Sequence, residues 1–241
     1  MKTLAHKHDS HLIVYDADVI EHPGSFLFSP DYWSEQGAVT GTATGRGSVL
    51  FLDSPFGPAV LRQYLRGGWA AKASRDRYVF SGFEQSRPVA EFAVLEQLST
   101  AGLPAAAPLA AMCAREGPFY RGWILMRMIS GVMPLADLIS KRRLDEDFWL
   151  QVGACIRRFH DFGVVHADLN ARNILVSKTN DVYLVDFDRA RLRARDHRAF
   201  SINLRRLHRS LQKVWPEPGR EHLHACWMKL LEGYDSQTVS A

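Results

Sequence analysis

The chain has 241 residues, of which 46% are hydrophobic and 23% charged, and its formal net charge at pH 7 is +4. A chain of this length can bury a substantial core, and this composition excludes disorder along its whole length. The first ten residues lack the apolar run of a secretory signal, and no stretch approaches the roughly 18 apolar residues of a membrane-spanning helix. We expect a protein of the cytosol, or one that lies on a membrane from the cytosolic side.

The N-terminal half reads as strand-rich. Residues 1–40 are expected to be irregular apart from one short strand at 11–17. Apolar and β-branched residues at 49–52 and 59–64, separated by turn residues, predict a β-hairpin. A helix around 89–101 and a strand at 123–129 follow, and the latter is the expected joint between the two halves.

The C-terminal half reads as mainly helical. Apolar residues at helical spacing predict an amphipathic helix over 145–162, with Gly163 as its stop. Two short strands at 173–176 and 182–185 come next. Two further helices are predicted over 198–214 and 221–233. The pattern therefore predicts an α+β protein with a strand-rich half at 1–128 and a helical half at 129–241.

One segment of the helical half carries the chemistry. Residues 166–173 read His-Ala-Asp-Leu-Asn-Ala-Arg-Asn, and residues 186–188 read Asp-Phe-Asp. These resemble the catalytic loop and the metal-binding turn of kinases, and they predict a bilobal protein-kinase-like fold with a smaller-than-usual C-terminal lobe. Asp168 is expected to orient an acceptor hydroxyl and take its proton. Asn173 and Asp186 offer hard oxygen ligands suited to Mg²⁺, whereas His166 is expected to pin the loop backbone.

The same resemblance implies a nucleotide-binding N-terminal lobe at 1–128. Gly45 and Gly47 lie in a glycine-rich stretch whose backbone amides can approach the phosphates of ATP. The backbone of Met126 and Met128 is expected to meet the adenine edge.

A cation of the N-terminal lobe is also expected to contact the phosphates. Arg62 stands where the kinase pattern has lysine, and its guanidinium can hold phosphate. Lys72 is the alternative. We predict that Glu91, rather than Glu96, is the ion-pair partner of this cation.

The combined pattern is more specific than a kinase in general. Residues 60–68, Lys72, 76–82, 166–175 and 185–188 resemble the 3-deoxy-D-manno-octulosonic acid (Kdo) kinases of Gram-negative lipopolysaccharide biosynthesis. The resemblance implies ATP- and Mg²⁺-dependent phosphorylation of the 4-hydroxyl of Kdo on a lipid A precursor. It also implies a peripheral position at the cytoplasmic face of the inner membrane.

Basic residues would favour a position at the surface of the inner membrane. Arg66, Lys72, Arg75 and Arg77 form a cluster that we expect to contact acceptor phosphates or an anionic membrane surface. Nucleic acid is not expected as a partner, because no nucleic-acid-binding motif occurs, and no protein partner is inferred.

Several other functions are alternatives to a Kdo kinase. A lipopolysaccharide heptose kinase is the nearest alternative. A protein Ser/Thr kinase would need a platform for peptide substrates, which the sequence after Asp186 does not offer. A pseudokinase would lack a catalytic position, yet Asp168, Asn173 and Asp186 are all present. An aminoglycoside phosphotransferase would show acidic rather than basic residues around its motifs.

Overall fold

The computed structural model describes residues 1–44, 48–65, 76–142, 144–194, 196–216 and 219–236. The chain forms two compact units, unit 1 from Met1–Thr100 and Ala106–Ser130, and unit 2 from Ala101–Ala105 and Gly131–Ala241. The chain passes into the main part of unit 2 after Ser130, two residues beyond the division expected from the sequence.

Unit 1 is built on an antiparallel sheet of eight strands. The order across the sheet is β1-β2-β7-β8-β5-β4-β3, and β6 pairs with β8 outside this path. The strands are β1 Thr3–His8, β2 His11–Asp16, β3 Val39–Thr44, β4 Ser48–Ser54, β5 Gly57–Gln63, β6 Tyr78–Val79, β7 Pro108–Glu116 and β8 Phe119–Arg127. The predicted hairpin at 49–64 is confirmed as β4–β5.

The short strand predicted at 11–17 is confirmed as β2, but the prediction that the rest of residues 1–40 is irregular was wrong. Besides β1 and β2, this segment holds a short 3-10 helix, Ser25–Phe28, and a helix α1, Pro30–Glu35. Ser29 caps α1 by accepting a hydrogen bond from the amide of Tyr32, and proline takes the first helical position, where its missing N–H costs nothing. Trp33 is buried, and its indole N–H donates to the carbonyl of Leu27 at 2.9 Å.

Strand β7 was not predicted. It lies inside the sheet between β2 and β8, and its first seven residues are buried. Three of its residues are alanines, which have weak strand preference, so the segment lacks the β-branched pattern of a recognisable strand.

Helix α2, Arg87–Thr100, packs on strands β7 and β8. It buries Phe92, Leu95 and Leu98, as their helical spacing predicts. The described part of unit 1 therefore has two α-helices, α1 and α2, where the sequence led us to expect one.

Unit 2 is mainly helical. Its helices are α3 Leu135–Ile139, α4 Glu146–Asp161, α5 His197–Val214 and α6 Arg220–Ser236. Its short strands are β9 Val132–Pro134, β10 Val164–Val165, β11 Ile174–Ser177, β12 Val182–Leu184 and β13 Arg191–Leu192. Helix α4 begins where Asp145 accepts a hydrogen bond from the amide of Phe148 at 2.9 Å, and β11 and β12 pair as an antiparallel hairpin.

Helices α4 and α6 pack closely because glycine stands on both sides. A Cβ atom added to Gly153 of α4 would lie 1.9 Å from the carbonyl oxygen of Leu230. One added to Gly233 of α6 would lie 2.1 Å from the carbonyl oxygen of Leu150. The backbones of the two helices therefore touch at a distance that a side chain at either position would prevent.

The three cysteines, Cys113, Cys155 and Cys226, are free and buried. None of the described helices is long and apolar enough to cross a membrane.

Candidate active site

The predicted catalytic loop, residues 166–173, follows β10 and leads into β11. Asn203 of α5 holds its first residue from both sides. The amide N–H of His166 donates to Asn203 Oδ1 at 3.0 Å, and Asn203 Nδ2 donates to the carbonyl of His166 at 2.7 Å. Asn203 is 3% exposed, so these bonds form away from water, where an unmade bond is expensive. Helix α5 thus supports the loop.

The ring of His166 makes a second anchor. The amide of Asp168 donates to Nδ1 at 3.0 Å, so this nitrogen carries no proton, and Nε2–H donates to the carbonyl of Val185 at 3.0 Å. Burial lowers the pKa of His166, which keeps the ring in this neutral form. His166 therefore joins the loop to the residue before Asp186, in agreement with the structural role expected for it.

Asn173 is oriented by the loop itself. Its Nδ2 donates to the carbonyl of Asp168 at 2.9 Å, which leaves the amide oxygen as the atom that can act as a ligand. The carbonyl of Asn173 accepts from the amide of Val185 at 3.0 Å. Asn173 and Asp186 are therefore neighbours in space, since Asp186 directly follows the residue bonded to Asn173.

Asp186 adopts a left-handed backbone conformation, with φ of +65°. Residues other than glycine rarely do so, and such strained positions cluster at functional sites. The next residue, Phe187, is 1% exposed and stacks on Phe159 of α4 with 5.7 Å between ring centroids. The buried phenylalanine anchors the turn that holds the Asp186 carboxylate.

The pair Asn173 and Asp186 suits Mg²⁺ in its chemistry. Both side chains offer hard oxygen donors, which this ion prefers. The residues described here contain no group of three or more His, Cys, Asp or Glu side chains placed to hold a metal. A site of two protein ligands fits an ion whose remaining positions are filled by phosphate oxygens and water.

Arg206 of α5 forms an ion pair with Asp168, with 2.9 Å between Nη1 and Oδ1. Arg206 was not among the site residues predicted from the sequence. The sequence gives no local signal for this role: Arg206 lies three residues after Asn203 and so shares its face of the helix, but only the fold shows that Asn203 is buried. Both Arg206 and Asp168 are about half exposed.

Unit 1 contains the predicted pair of Arg62 and Glu91. Their side chains form a close ion pair, and the hydroxyl of Tyr64 donates to the same carboxylate oxygen. Glu91 is 2% exposed. Burial, followed by the Glu91 charge, raises the pKa of Tyr64 well above its usual range, so the phenol keeps the proton it donates. Glu96 instead accepts a hydrogen bond from Thr3.

The sequence of the chain is similar to those of known proteins. The model of the lipopolysaccharide kinase (Kdo/WaaP) family matches residues 30–234. The chain belongs to this family. It is 42% identical over 225 residues to a 3-deoxy-D-manno-octulosonic acid kinase of Stenotrophomonas maltophilia, covering 92% of this chain and 89% of the relative. It is 36% identical over 231 residues to the enzyme of that name from Photobacterium profundum, covering 94% and 96%.

Membership of the lipopolysaccharide kinase family settles the class of the protein. It is an ATP-dependent phosphotransferase that acts on a sugar hydroxyl, and its α+β fold is protein-kinase-like. The alternatives of a protein Ser/Thr kinase and an aminoglycoside phosphotransferase are therefore set aside.

The other predicted site residues of this lipopolysaccharide kinase lie partly outside the described residues. Gly45, Gly47 and Lys72 lie outside the described residues. The amide of Arg127 donates to the carbonyl of Ala107, and that of Met128 to the carbonyl of Pro58, each at 2.9 Å. An adenine contact by the backbone of Met128 would therefore use its carbonyl oxygen. The assignments of Met126 and Met128 to the adenine edge stay predictions.

The basic cluster is only partly described. Arg66, Lys72 and Arg75 lie outside the described residues, whereas Arg77 forms an ion pair with Glu116 at 3.4 Å. The charge of Arg77 is thus partly compensated within unit 1, and its contact with an acceptor or membrane stays a prediction.

Proposed function

We propose that this protein transfers the γ-phosphoryl group of ATP to the 4-hydroxyl of Kdo on a lipid A precursor. The observation that carries the proposal is the catalytic loop. Asp168, Asn173 and Asp186 are held on one scaffold by His166 and Asn203, in a chain about 40% identical to Kdo kinases over nearly its whole length.

The reaction follows from the roles of these side chains. The acceptor oxygen forms a bond to the γ-phosphorus, the bond from that phosphorus to the β–γ bridging oxygen breaks, and ADP leaves. Asp168 orients the acceptor hydroxyl and takes its proton. Asn173 and Asp186 hold Mg²⁺. When bound, the ion supplies positive charge to the phosphate oxygens.

Arg62 is proposed as the phosphate contact of unit 1. Glu91 fixes the guanidinium by the ion pair, and Tyr64 closes the same network. Arginine keeps its charge under all physiological conditions and can present several donors to phosphate oxygens. Gly45 and Gly47 are proposed to approach the phosphates through their backbone amides.

The proposed location is the cytoplasmic face of the inner membrane, where the lipid-linked acceptor is found. The protein carries a net charge of +4, which favours a peripheral position on an anionic surface. Flotation with vesicles of anionic lipid at low and high salt tests this location, because an electrostatic contact weakens as salt rises.

The function is tested by transfer of labelled phosphate from ATP to a Kdo-lipid A precursor. Asp168→Asn should abolish the transfer, and Asp186→Asn should do the same by weakening the Mg²⁺ site. Asp147→Asn is the matched control, because Asp147 is an exposed carboxylate in the first turn of α4, whereas the catalytic loop follows the last turn of that helix. Activity should survive in that variant.

Two further acceptors separate the alternatives. A heptose-bearing lipopolysaccharide core that is phosphorylated in preference to the Kdo precursor would establish the heptose kinase. Label on a generic protein substrate alone would contradict the sugar-kinase assignment. Chemical analysis of the phosphorylated product identifies the acceptor hydroxyl.

A further inference from the structure

The carboxylate proposed as the catalytic base has a cationic partner that the reaction described so far does not use. Arg206 Nη1 lies 2.9 Å from Asp168 Oδ1. The two side chains are 43% and 46% exposed, so both face solvent, from which an acceptor can approach. Exposed ion pairs of this kind contribute little to stability. The pairing is therefore better explained by function than by folding.

Helix α5 places Arg206 with precision. Asn203, Arg206 and Ser210 follow one another at helical spacing along one face. Asn203 binds His166 on both sides, and Ser210 Oγ accepts a hydrogen bond from the amide of Ala171 at 3.1 Å. The face of α5 that carries Arg206 thus lies along the catalytic loop, with anchored contacts before and after the arginine.

The guanidinium has capacity for a second anion. It carries five N–H donors in a planar fork, of which the contact with Asp168 uses one through Nη1. Within the described part of the chain, no other carboxylate lies within ion-pair distance of Arg206. A carboxylate that enters beside Asp168 can therefore meet the unused donors.

The proposed acceptor brings such a group. An octulosonic acid carries a carboxylate on C2, and the absence of a hydroxyl on C3 leaves nothing polar between that carboxylate and the 4-hydroxyl. When the 4-hydroxyl meets Asp168, two negative carboxylates stand close together. Like charges repel unless a cation offsets them, and Arg206, already in contact with Asp168, can supply that cation.

We propose that Arg206 is a specificity-determining residue that binds the carboxylate of the sugar-acid acceptor while it stays beside Asp168. In the substrate-free protein the guanidinium pairs with Asp168 alone. In the acceptor complex it bridges the two carboxylates, and a neutral sugar offers it nothing to bind. This inference rests on the proposed function and names a determinant of the substrate class.

The test combines two enzymes with two acceptors. Wild type and Arg206→Gln are each assayed for kcat and KM with the Kdo-lipid A precursor and with its carboxamide analogue, which lacks the negative charge. With the natural acceptor, Arg206→Gln should lower kcat/KM by about 100-fold, mostly through KM. With the carboxamide, the same substitution should lower kcat/KM by less than about tenfold. The difference between the two losses in kcat/KM measures the contribution of the contact between Arg206 and the acceptor carboxylate.

A purely positioning role predicts a different result. If Arg206 only holds Asp168, the substitution lowers kcat equally for both acceptors, and the inference is overturned. An unchanged kcat/KM with the natural acceptor overturns it as well. Arg206→Lys keeps the charge but loses the fork, so it should recover part of the preference for the carboxylate.

Controls separate folding and the parent proposal from this inference. Arg205→Gln is the matched variant, because Arg205 is an exposed neighbour on α5, and it should behave as wild type. Thermal unfolding shows whether Arg206→Gln folds. If it does not fold, Arg206→Lys replaces it in the comparison of kcat/KM with the two acceptors. A wild-type enzyme that leaves the Kdo precursor unmodified contradicts the proposed function itself, whereas equal losses with both acceptors contradict only the role of Arg206.

Discussion

Asn203 connects α5 to the catalytic loop through two buried hydrogen bonds, and its removal should damage both stability and catalysis. Asn203→Ala leaves the amide N–H and the carbonyl of His166 without partners. A buried unsatisfied group costs about 1–3 kcal/mol, so the free energy of unfolding should fall by about 2–6 kcal/mol. The loop then loses its support, and a displacement of about 1 Å at Asp168 lowers kcat by about 100-fold.

Asn203→Asp gives this prediction a pH dependence. The ionised carboxylate still accepts from the amide of His166, but it cannot donate to the carbonyl. A protonated carboxyl group can donate, so the folded state raises the pKa of the introduced carboxyl above the unfolded value of about 3.9. A raised folded pKa means that stability is regained as pH falls. Relative to wild type, the variant should therefore be less destabilised at pH 5 than at pH 7.

The assay is urea denaturation followed by circular dichroism, with kcat measured on the same preparations. Arg205→Ala on the exposed side of α5 serves as control and should change the free energy of unfolding by less than about 0.5 kcal/mol. The reasoning is refuted if Asn203→Ala loses under about 1 kcal/mol with kcat unchanged. A loss for Asn203→Asp that is independent of pH would refute the assignment of Nδ2 as donor.

Three further predictions concern packing, charge and pH. Gly153→Ala places a methyl group against the carbonyl of Leu230, so forcing α4 and α6 apart should lower the free energy of unfolding by about 1–3 kcal/mol or more. Glu91→Gln removes the buried carboxylate charge that pairs with Arg62, and should cost about 3–5 kcal/mol in the same measurement. Burial lowers the pKa of His160 to about 4, so the unfolded state binds a proton first as pH falls. Stability should then decrease between pH 6.5 and 4, by about 3 kcal/mol in total.

Each of these three predictions has a matched variant that tests it. Gly41→Ala should be nearly neutral, because its Cβ would meet only the Phe51 side chain at 3.6 Å. Glu96→Gln should cost less than Glu91→Gln, since Glu96 lies outside the Arg62 network. His160→Gln should show a shallower loss of stability than wild type between pH 6.5 and 4, and equal slopes would contradict the role of His160.

The elements recognised from sequence are those whose signal is local. Helix α4 combines an acidic N-cap, helical spacing of apolar residues and a terminal glycine, all within about one element's length. Strand β7 was missed because its alanines carry little strand preference, and because β2, one of the two strands that flank it, lies far away in the chain. The N-terminal segment was misjudged for the same reason, since Trp33 is buried in a core that also contains Leu109 and Leu125.

The residues of the candidate site likewise fall into those with a local sequence signal and those without one. Asp168, Asn173 and Asp186 are identifiable from sequence, because the loop and turn chemistry needs those residue types at short spacing. The roles of Asn203, Arg206 and Tyr64 were decided only by the tertiary structure. Each meets a partner 27 to 38 residues away, and only the folding of helices onto the loop or the sheet brings such side chains together. Local sequence thus names the chemical groups, whereas long-range packing decides which charges and hydrogen bonds surround them.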